Sequence, residues 1–131
     1  MKCLVDTDVL LDVALKRSSF FAASADVLRW AEKGGQAAIA WHSLSNCAYL
    51  LKNDGREFLR MLLSILDVAP VGAKEAHRAL ELPMKDLEDA LQTAAALSWG
   101  ADYIVTRNTS DYRKSPLPAI SPKKFLARVN S

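Results

Sequence analysis

The sequence predicts a three-layer α/β/α domain around a central, mainly parallel sheet of four to five strands, and three observations predict it. Short apolar runs alternate with segments of helical spacing along the whole chain, the apolar runs stop at polar residues that can open helices, and glycines fall where the helical patterns end. Strands separated by helices return to the sheet by right-handed crossovers, which makes neighbouring strands parallel and places helices on both faces.

Taken in order, Cys3-Leu4-Val5 is a strand that stops at Asp6 and feeds a helix carrying Val9, Leu10 and Val13. A second helix fits Phe20 to Lys33, with Phe20, Ala23, Val27, Trp30 and Ala31 on one face, and Gly34-Gly35 ends it. Ala37 to Trp41 reads as a buried strand. His42 and Ser43 open a helix through Leu44, Cys47, Tyr49, Leu50 and Leu51, which Asn53-Asp54-Gly55 closes as a turn before a further helix from Arg56 to Leu66. Val68 to Val71 is β-like, but Pro70 confines it to a strand edge or end. After a helix through Ala76, Ala79 and Leu80, Pro83 interrupts the pattern. The strongest helix then runs from Leu87 to Trp99, with Ala90, Leu91, Ala94, Ala95 and Leu97 inward and Gly100 as its stop. Tyr103 to Thr106 is a strand, Asn108 to Tyr112 a short turn or helix, and Ala119-Ile120 a last strand before a terminal helix from Pro122.

A chain of 131 residues, 50% hydrophobic, fits one domain over residues 1–131 with a sizeable core. The formal charge of +2, from 17 basic and 15 acidic residues, does not announce nucleic-acid binding, so any basic surface has to be local. Cys3 and Cys47 sit in apolar patterns and form neither a disulfide framework nor a zinc-ligand spacing. No signal-peptide pattern opens the chain, and no stretch reaches the roughly 18 apolar residues of a membrane span. The expectation is a cytoplasmic protein. Trp30, Trp41 and Trp99 read as core or interface. Phe58 to Leu66 is apolar on more than one face, hence buried or shared with a partner. His42 and His77, on different elements, read as packing or surface residues.

Open parallel sheets bind ligands beyond the carboxyl ends of their strands, so the polar residues at those ends carry the functional question. Asp6 and Asp8 follow the first strand, His42 to Asn46 the second, and Asn108 and Asp111 the Tyr103 strand, while Asp86, Glu88 and Asp89 begin the long Ala-rich helix. Carboxylates gathered there from distant parts of the chain would repel one another. A hard divalent cation, Mg²⁺ or Mn²⁺, would relieve that repulsion. Helix capping explains Asp86-Leu87-Glu88-Asp89 and Asn108-Thr109-Ser110-Asp111 equally well, and the two roles are compatible, because helix-start N–H groups favour the ionised carboxylate that a metal needs. Asp12, four residues after Asp8, is read as solvated or supporting rather than as a ligand.

The segment Leu4-Val5-Asp6-Thr7-Asp8-Val9-Leu10-Leu11-Asp12 resembles the opening of PIN-domain proteins. A more specific match lies in Asp86 to Ala96 followed by Gly100 to Tyr112, similar to the paired acidic motifs of a VapC-like branch described as toxin components of toxin–antitoxin systems; Ile120 to Leu126 fits the same branch. The resemblance covers essentially the whole chain. It implies a PIN-like fold and an Mg²⁺- or Mn²⁺-dependent endoribonuclease, the toxin of a type II pair, with an RNA substrate, a cognate antitoxin and a homodimeric assembly. Carried over by motif, Asp6, Asp89 and Asp111 are the catalytic and metal-binding residues. Asp8, Asn46, Asp86, Glu88, Thr106 and Asn108 support them. Many toxin-type members carry Glu where this chain has Asn46, a change the resemblance assigns to a branch with Asn in place of the middle acid. An amide can hydrogen-bond a coordinated water but brings no charge.

Thr7 and Thr106 are candidates for positioning carboxylates. Arg107, Arg113 and Lys114, with Lys123 and Lys124, are candidate phosphate contacts, each with solvated surface as the plain alternative. The competing function is a catalytically weak PIN domain that binds RNA or a protein, kept open by Asn46. A third reading, a haloacid-dehalogenase-like phosphatase using Asp6 and Asp8, meets Arg107-Asn108 where that chemistry wants acids.

Overall fold

The computed structural model describes residues 1–131. Its centre is a five-stranded, all-parallel sheet of β1 (Lys2–Val5), β2 (Gln36–Ile39), β3 (Asp67–Val68), β4 (Tyr103–Val105) and β5 (Ala119–Ile120), in the order β3-β2-β1-β4-β5. Seven helices surround it: α1 (Thr7–Ala14), α2 (Phe21–Glu32), α3 (Trp41–Leu51), α4 (Gly55–Ile65), α5 (Ala73–Glu81), α6 (Leu87–Trp99) and α7 (Pro122–Val129). The α/β class and the parallel sheet expected from the alternating pattern are both present. No helix is long and apolar enough to cross a membrane.

The two layers follow from strand alternation. Cys3, Val5, Ala37, Ile39 and Val105 share one buried cluster with Val9, Leu10, Val27, Leu62 and Phe125 from the helices on that face. Their neighbours Leu4, Ala38 and Ile104 join Ala95, Ala96, Tyr112 and Leu117 on the other. Strands buried on both faces read as continuous apolar runs, the pattern of Cys3-Leu4-Val5 and Tyr103-Ile104-Val105. Small side chains on α6 let it lie close to α5 as well: Ala90 and Ala94 form a further cluster with Ala79. Gly100 ends α6 at φ 91, and Gly100 and Ala101 both donate to the Ala96 carbonyl at 3.0 Å, a left-handed cap that favours glycine.

Several boundaries and faces differ from the sequence expectation. The second strand ends at Ile39, and Trp41 instead opens α3, 61% exposed, because Ala40 adopts extended backbone at the helix start. β3 spans only Asp67–Val68, after which the Ala69 N–H still donates to Ile39, and it lies at a sheet edge where Pro70 removes no ladder bond. Leu91 points outward and Gln92 inward, because Leu87 and Leu91, four residues apart, share the outer flank of α6. α4 buries Leu62 but leaves Leu63 49% exposed, so it is one-sided rather than buried throughout.

Candidate active site

β1 and β4 are adjacent and parallel, so the residues that leave their carboxyl ends meet: the Asp6 N–H donates to the Val105 carbonyl at 2.9 Å, continuing the ladder. Asp6 is also the N-cap of α1, and its Oδ1 accepts from the Thr7 N–H at 2.7 Å. The same oxygen accepts from Gln92 Nε2 at 3.0 Å. Asp6 Oδ2 accepts from the Thr106 hydroxyl at 2.7 Å and lies 3.3 Å from the Tyr112 hydroxyl. Tyr112 in turn reaches Asp89 Oδ1 at 3.1 Å and accepts from Gln92 Nε2 at 2.6 Å. One buried phenol thus bridges Asp6, at the end of β1, and Asp89, in the first turn of α6.

Asp8 occupies the flank of this centre. Its Oδ2 accepts from the Arg107 N–H and Asn108 Nδ2, both at 3.1 Å, and lies 3.3 Å from the Thr106 hydroxyl, whose one proton has its shorter contact with Asp6. Its Oδ1 is buried without a hydrogen-bond partner. Burial, then the Asp6 charge, pushes the Asp8 carboxyl up to about 6 against the pull of the Arg107 N–H and guanidinium. Asp89 is also pushed up to about 6, by burial and then by Asp86, with Asp6 and Asp111 adding and the Tyr112 hydrogen bond opposing. Burial and the two acids raise Tyr112, which stays a neutral phenol.

The remaining candidates fall into three groups. Asp86 caps α6, accepting from the Asp89 N–H at 2.9 Å, while Asn46 Nδ2 donates to Glu88 at 3.3 Å and ties α3 to the start of α6. Thr106 and Asn108 act together, since the Asn108 N–H donates to the Thr106 hydroxyl at 3.1 Å. Asp111 is exposed and makes no side-chain hydrogen bond with Asp6 or Asp89; it acts on Asp89 through its charge. His42 is half-buried near Glu88 and Asp6, and burial lowers its pKa. A cleft of about 600 Å³ opens beside Asp89, with Asp86 and Asp111 on its wall and Lys85, Arg113 and Lys114 also lining it. Asp6 is not part of that wall.

Arg107 differs from a free phosphate contact. Its Nε donates to Asp12 at 2.6 Å, its guanidinium lies 4.0 Å from the Phe20 ring centroid, and Asp12 is fully buried, with Arg17 at 3.3 Å and Ser24 at 3.4 Å. Asp12 is therefore not solvated: it fastens the loop after β4 to α1 and α2. Sequence reading also passed over Gln92 and Tyr112. Gln92 had a visible signal, a long polar side chain three residues after Asp89 on an alanine face, where an unpartnered amide would be costly. Tyr112 had none, because the turn that aims it follows from tertiary packing.

Nowhere do three or more histidine, cysteine or carboxylate side chains come together to hold a metal ion. The donor set still suits a hard cation. Mg²⁺ is commonly held by one or two carboxylates, with waters and substrate phosphates completing its shell, and Asp6 with Asp89 is such a pair. The orphaned Asp8 Oδ1 and the raised acids mark uncompensated negative charge at the same place.

With this geometry defined, comparison with known proteins identifies the fold. The chain belongs to the PIN domain family, whose family model matches residues 2–110. Among solved structures it is similar to VapBC2 from Rickettsia felis, crystallised bound to a DNA fragment from its promoter, at 20% identity and a TM-score of 0.74 over 92% of this chain and 98% of that one. It is similar also to a chain of a toxin–antitoxin complex from Klebsiella pneumoniae, at 24% identity and a TM-score of 0.69 with the same coverage of 92% and 98%. FitAcB from Neisseria gonorrhoeae matches at 14% identity and a TM-score of 0.62 over 92% and 98%. Comparison with curated proteins gave no significant match.

Proposed function

We propose that this protein is an Mg²⁺- or Mn²⁺-dependent endoribonuclease, the toxin of a type II toxin–antitoxin pair. The observation that carries the reading is the pairing of Asp6 and Asp89 across one phenol at the carboxyl edge of a PIN-domain sheet. Asp6 and Asp89 would hold the cation, which when bound lowers the pKa of a water and stabilises charge on the phosphate. Thr106 and the Thr7 N–H fix the orientation of Asp6, and Asn108 and the Arg107 N–H fix Asp8. Asp111, on the cleft wall, would orient a water or a second ion. Arg113 and Lys114 would bind RNA phosphates; Arg107 would act structurally through Asp12.

A cognate antitoxin and a homodimer follow from the same reading, supported by similarity to a toxin–antitoxin complex and by exposed apolar residues Trp41, Tyr49 and Leu50 on α3. Localisation in the cytoplasm goes with an RNA target. A second reading, a catalytically weak PIN domain that binds RNA or protein, is favoured by Asn46, which pairs with Glu88 but carries no charge of its own.

A panel of single-stranded and structured RNAs titrated with Mn²⁺ and Mg²⁺ separates the two. The nuclease reading expects metal-dependent cleavage that chelation stops and Asp6→Asn abolishes with the fold intact. Binding without cleavage at any metal concentration supports the second reading, and undiminished cleavage by Asp6→Asn overturns the assignment of Asp6.

A further inference from the structure

A carboxylate offers about four lone-pair sites, and in this structure Asp6 has four protein donors around it. Oδ1 receives the Thr7 N–H at 2.7 Å and Gln92 Nε2 at 3.0 Å; Oδ2 receives the Thr106 hydroxyl at 2.7 Å and faces the Tyr112 hydroxyl at 3.3 Å. Asp89 is different: its Oδ1 meets Tyr112 at 3.1 Å, and its Oδ2 receives nothing from the protein. A cation can therefore join Asp89 directly but can reach Asp6 only where a donor yields.

The donor that yields can be read from the geometry. The Thr7 N–H is fixed by the start of α1, Thr106 is buried at the end of β4, and Gln92 is buried with its amide oxygen 3.5 Å from the Ser43 hydroxyl. Tyr112 makes the longest of the four contacts. It also has a single proton, and because Gln92 Nε2 donates into its oxygen at 2.6 Å, that proton goes to one carboxylate at a time. Its two acceptors, Asp6 Oδ2 at 3.3 Å and Asp89 Oδ1 at 3.1 Å, are nearly equivalent, so the proton divides between them, and the fraction on Asp6 is what competes with a cation there.

We propose that the Tyr112 hydroxyl is a placeholder for the cation: it lies between Asp6 and Asp89 as a donor to both, and it yields Asp6 to a divalent ion that binds there. This rests on the reading of Asp6 and Asp89 as ligands of that ion. Tyr112 is a positioning residue, and its phenol keeps its bond to Asp89 Oδ1 while Asp89 Oδ2 is left for the cation. Without it, the two carboxylates would face each other across the site with no shared donor.

The test combines affinity with a signature of the phenol itself. Mn²⁺ is titrated into wild type, Tyr112→Phe and Asp6→Asn, with the free ion followed by electron paramagnetic resonance. Removing a competing hydrogen bond should tighten Mn²⁺ binding about three- to tenfold in Tyr112→Phe. In this variant one Gln92 Nε2 proton keeps Asp6 as its acceptor and the other loses the Tyr112 oxygen, so the fold of the variant is checked by its thermal unfolding before the titration. In parallel, wild type labelled with ¹³C at tyrosine Cζ is titrated with diamagnetic Mg²⁺. The Tyr112 resonance, assigned from its loss in Tyr112→Phe, should move, while those of Tyr49 and Tyr103 stay. Equal or weaker Mn²⁺ binding by Tyr112→Phe, or a Tyr112 resonance indifferent to Mg²⁺, overturns the placeholder while leaving the metal site in place. Failure of wild type to bind Mn²⁺ more tightly than Asp6→Asn does removes the metal site itself and the placeholder with it.

Discussion

Replacing Asp12 by Asn keeps the shape of a fully buried side chain and removes the charge that holds two arginines. Asp12 Oδ2 accepts from Arg107 Nε at 2.6 Å, and Oδ1 lies 3.3 Å from Arg17. Hydrogen bonds to charged groups contribute about 1.5–3 kcal/mol each, against about 0.5–1.5 for neutral ones, and removing one member of a buried pair costs about 3–5 kcal/mol. The two arginine side chains are 24% and 39% exposed, so water recovers part of the loss. The net destabilisation should be about 2–3 kcal/mol. For a chain of this length that lowers Tm by roughly 8–12 °C. Urea unfolding of Asp12→Asn, Arg107→Gln and the double variant gives the coupling directly, and a term above about 1 kcal/mol is expected for groups in contact. The effect should extend to the site, because the Arg107 N–H also holds Asp8. A Tm within about 1 °C of wild type, or strict additivity, would refute the view that this pair fastens the loop after β4.

Three further outcomes follow from the charges at the site. Asp8 has a carboxyl raised from 3.8 to about 6, so the folded chain binds its proton more readily than the unfolded chain does. Metal-free stability should therefore fall as pH rises across that window, by on the order of 2 kcal/mol from Asp8, measured by urea unfolding in chelator against Asp8→Asn; a flat difference between the two proteins contradicts it. Asp89→Asn should raise the metal-free Tm by roughly 2 °C, a figure discounted for the half-exposed position of Asp89, while RNA cleavage disappears; a lower Tm with cleavage retained would reverse both assignments. Neutralising Arg113 and Lys114 together should weaken binding of all RNA sequences alike and reduce the salt slope by about 1.4, and an unchanged slope would place the phosphates elsewhere.

The sheet was legible because burial on both faces writes itself as apolar runs, Cys3-Leu4-Val5 and Tyr103-Ile104-Val105, and α6 because Gly100 and Asp86 mark its two ends. Trp41 misled because an apolar residue that follows a buried strand looks like its continuation, whereas the backbone turns into a helix one residue earlier. In the site, strand ends and helix starts pointed to Asp6 and to the group Asp86, Glu88 and Asp89, and the family resemblance singled out Asp89 among them. What could not be inferred was how they are partnered: Tyr112 and Gln92 come from a turn and a helix face whose relative placement is a property of packing. The burial of Asp12 was hidden likewise, since its arginine partners lie 5 and 95 residues further along the chain.

The most direct test is anomalous diffraction at the manganese edge from crystals soaked in Mn²⁺. A peak is expected within direct or water-mediated reach of both Asp6 and Asp89, absent in Asp6→Asn. A peak bound elsewhere, or none at Mn²⁺ concentrations that support cleavage, would contradict the assignment of these two as ligands.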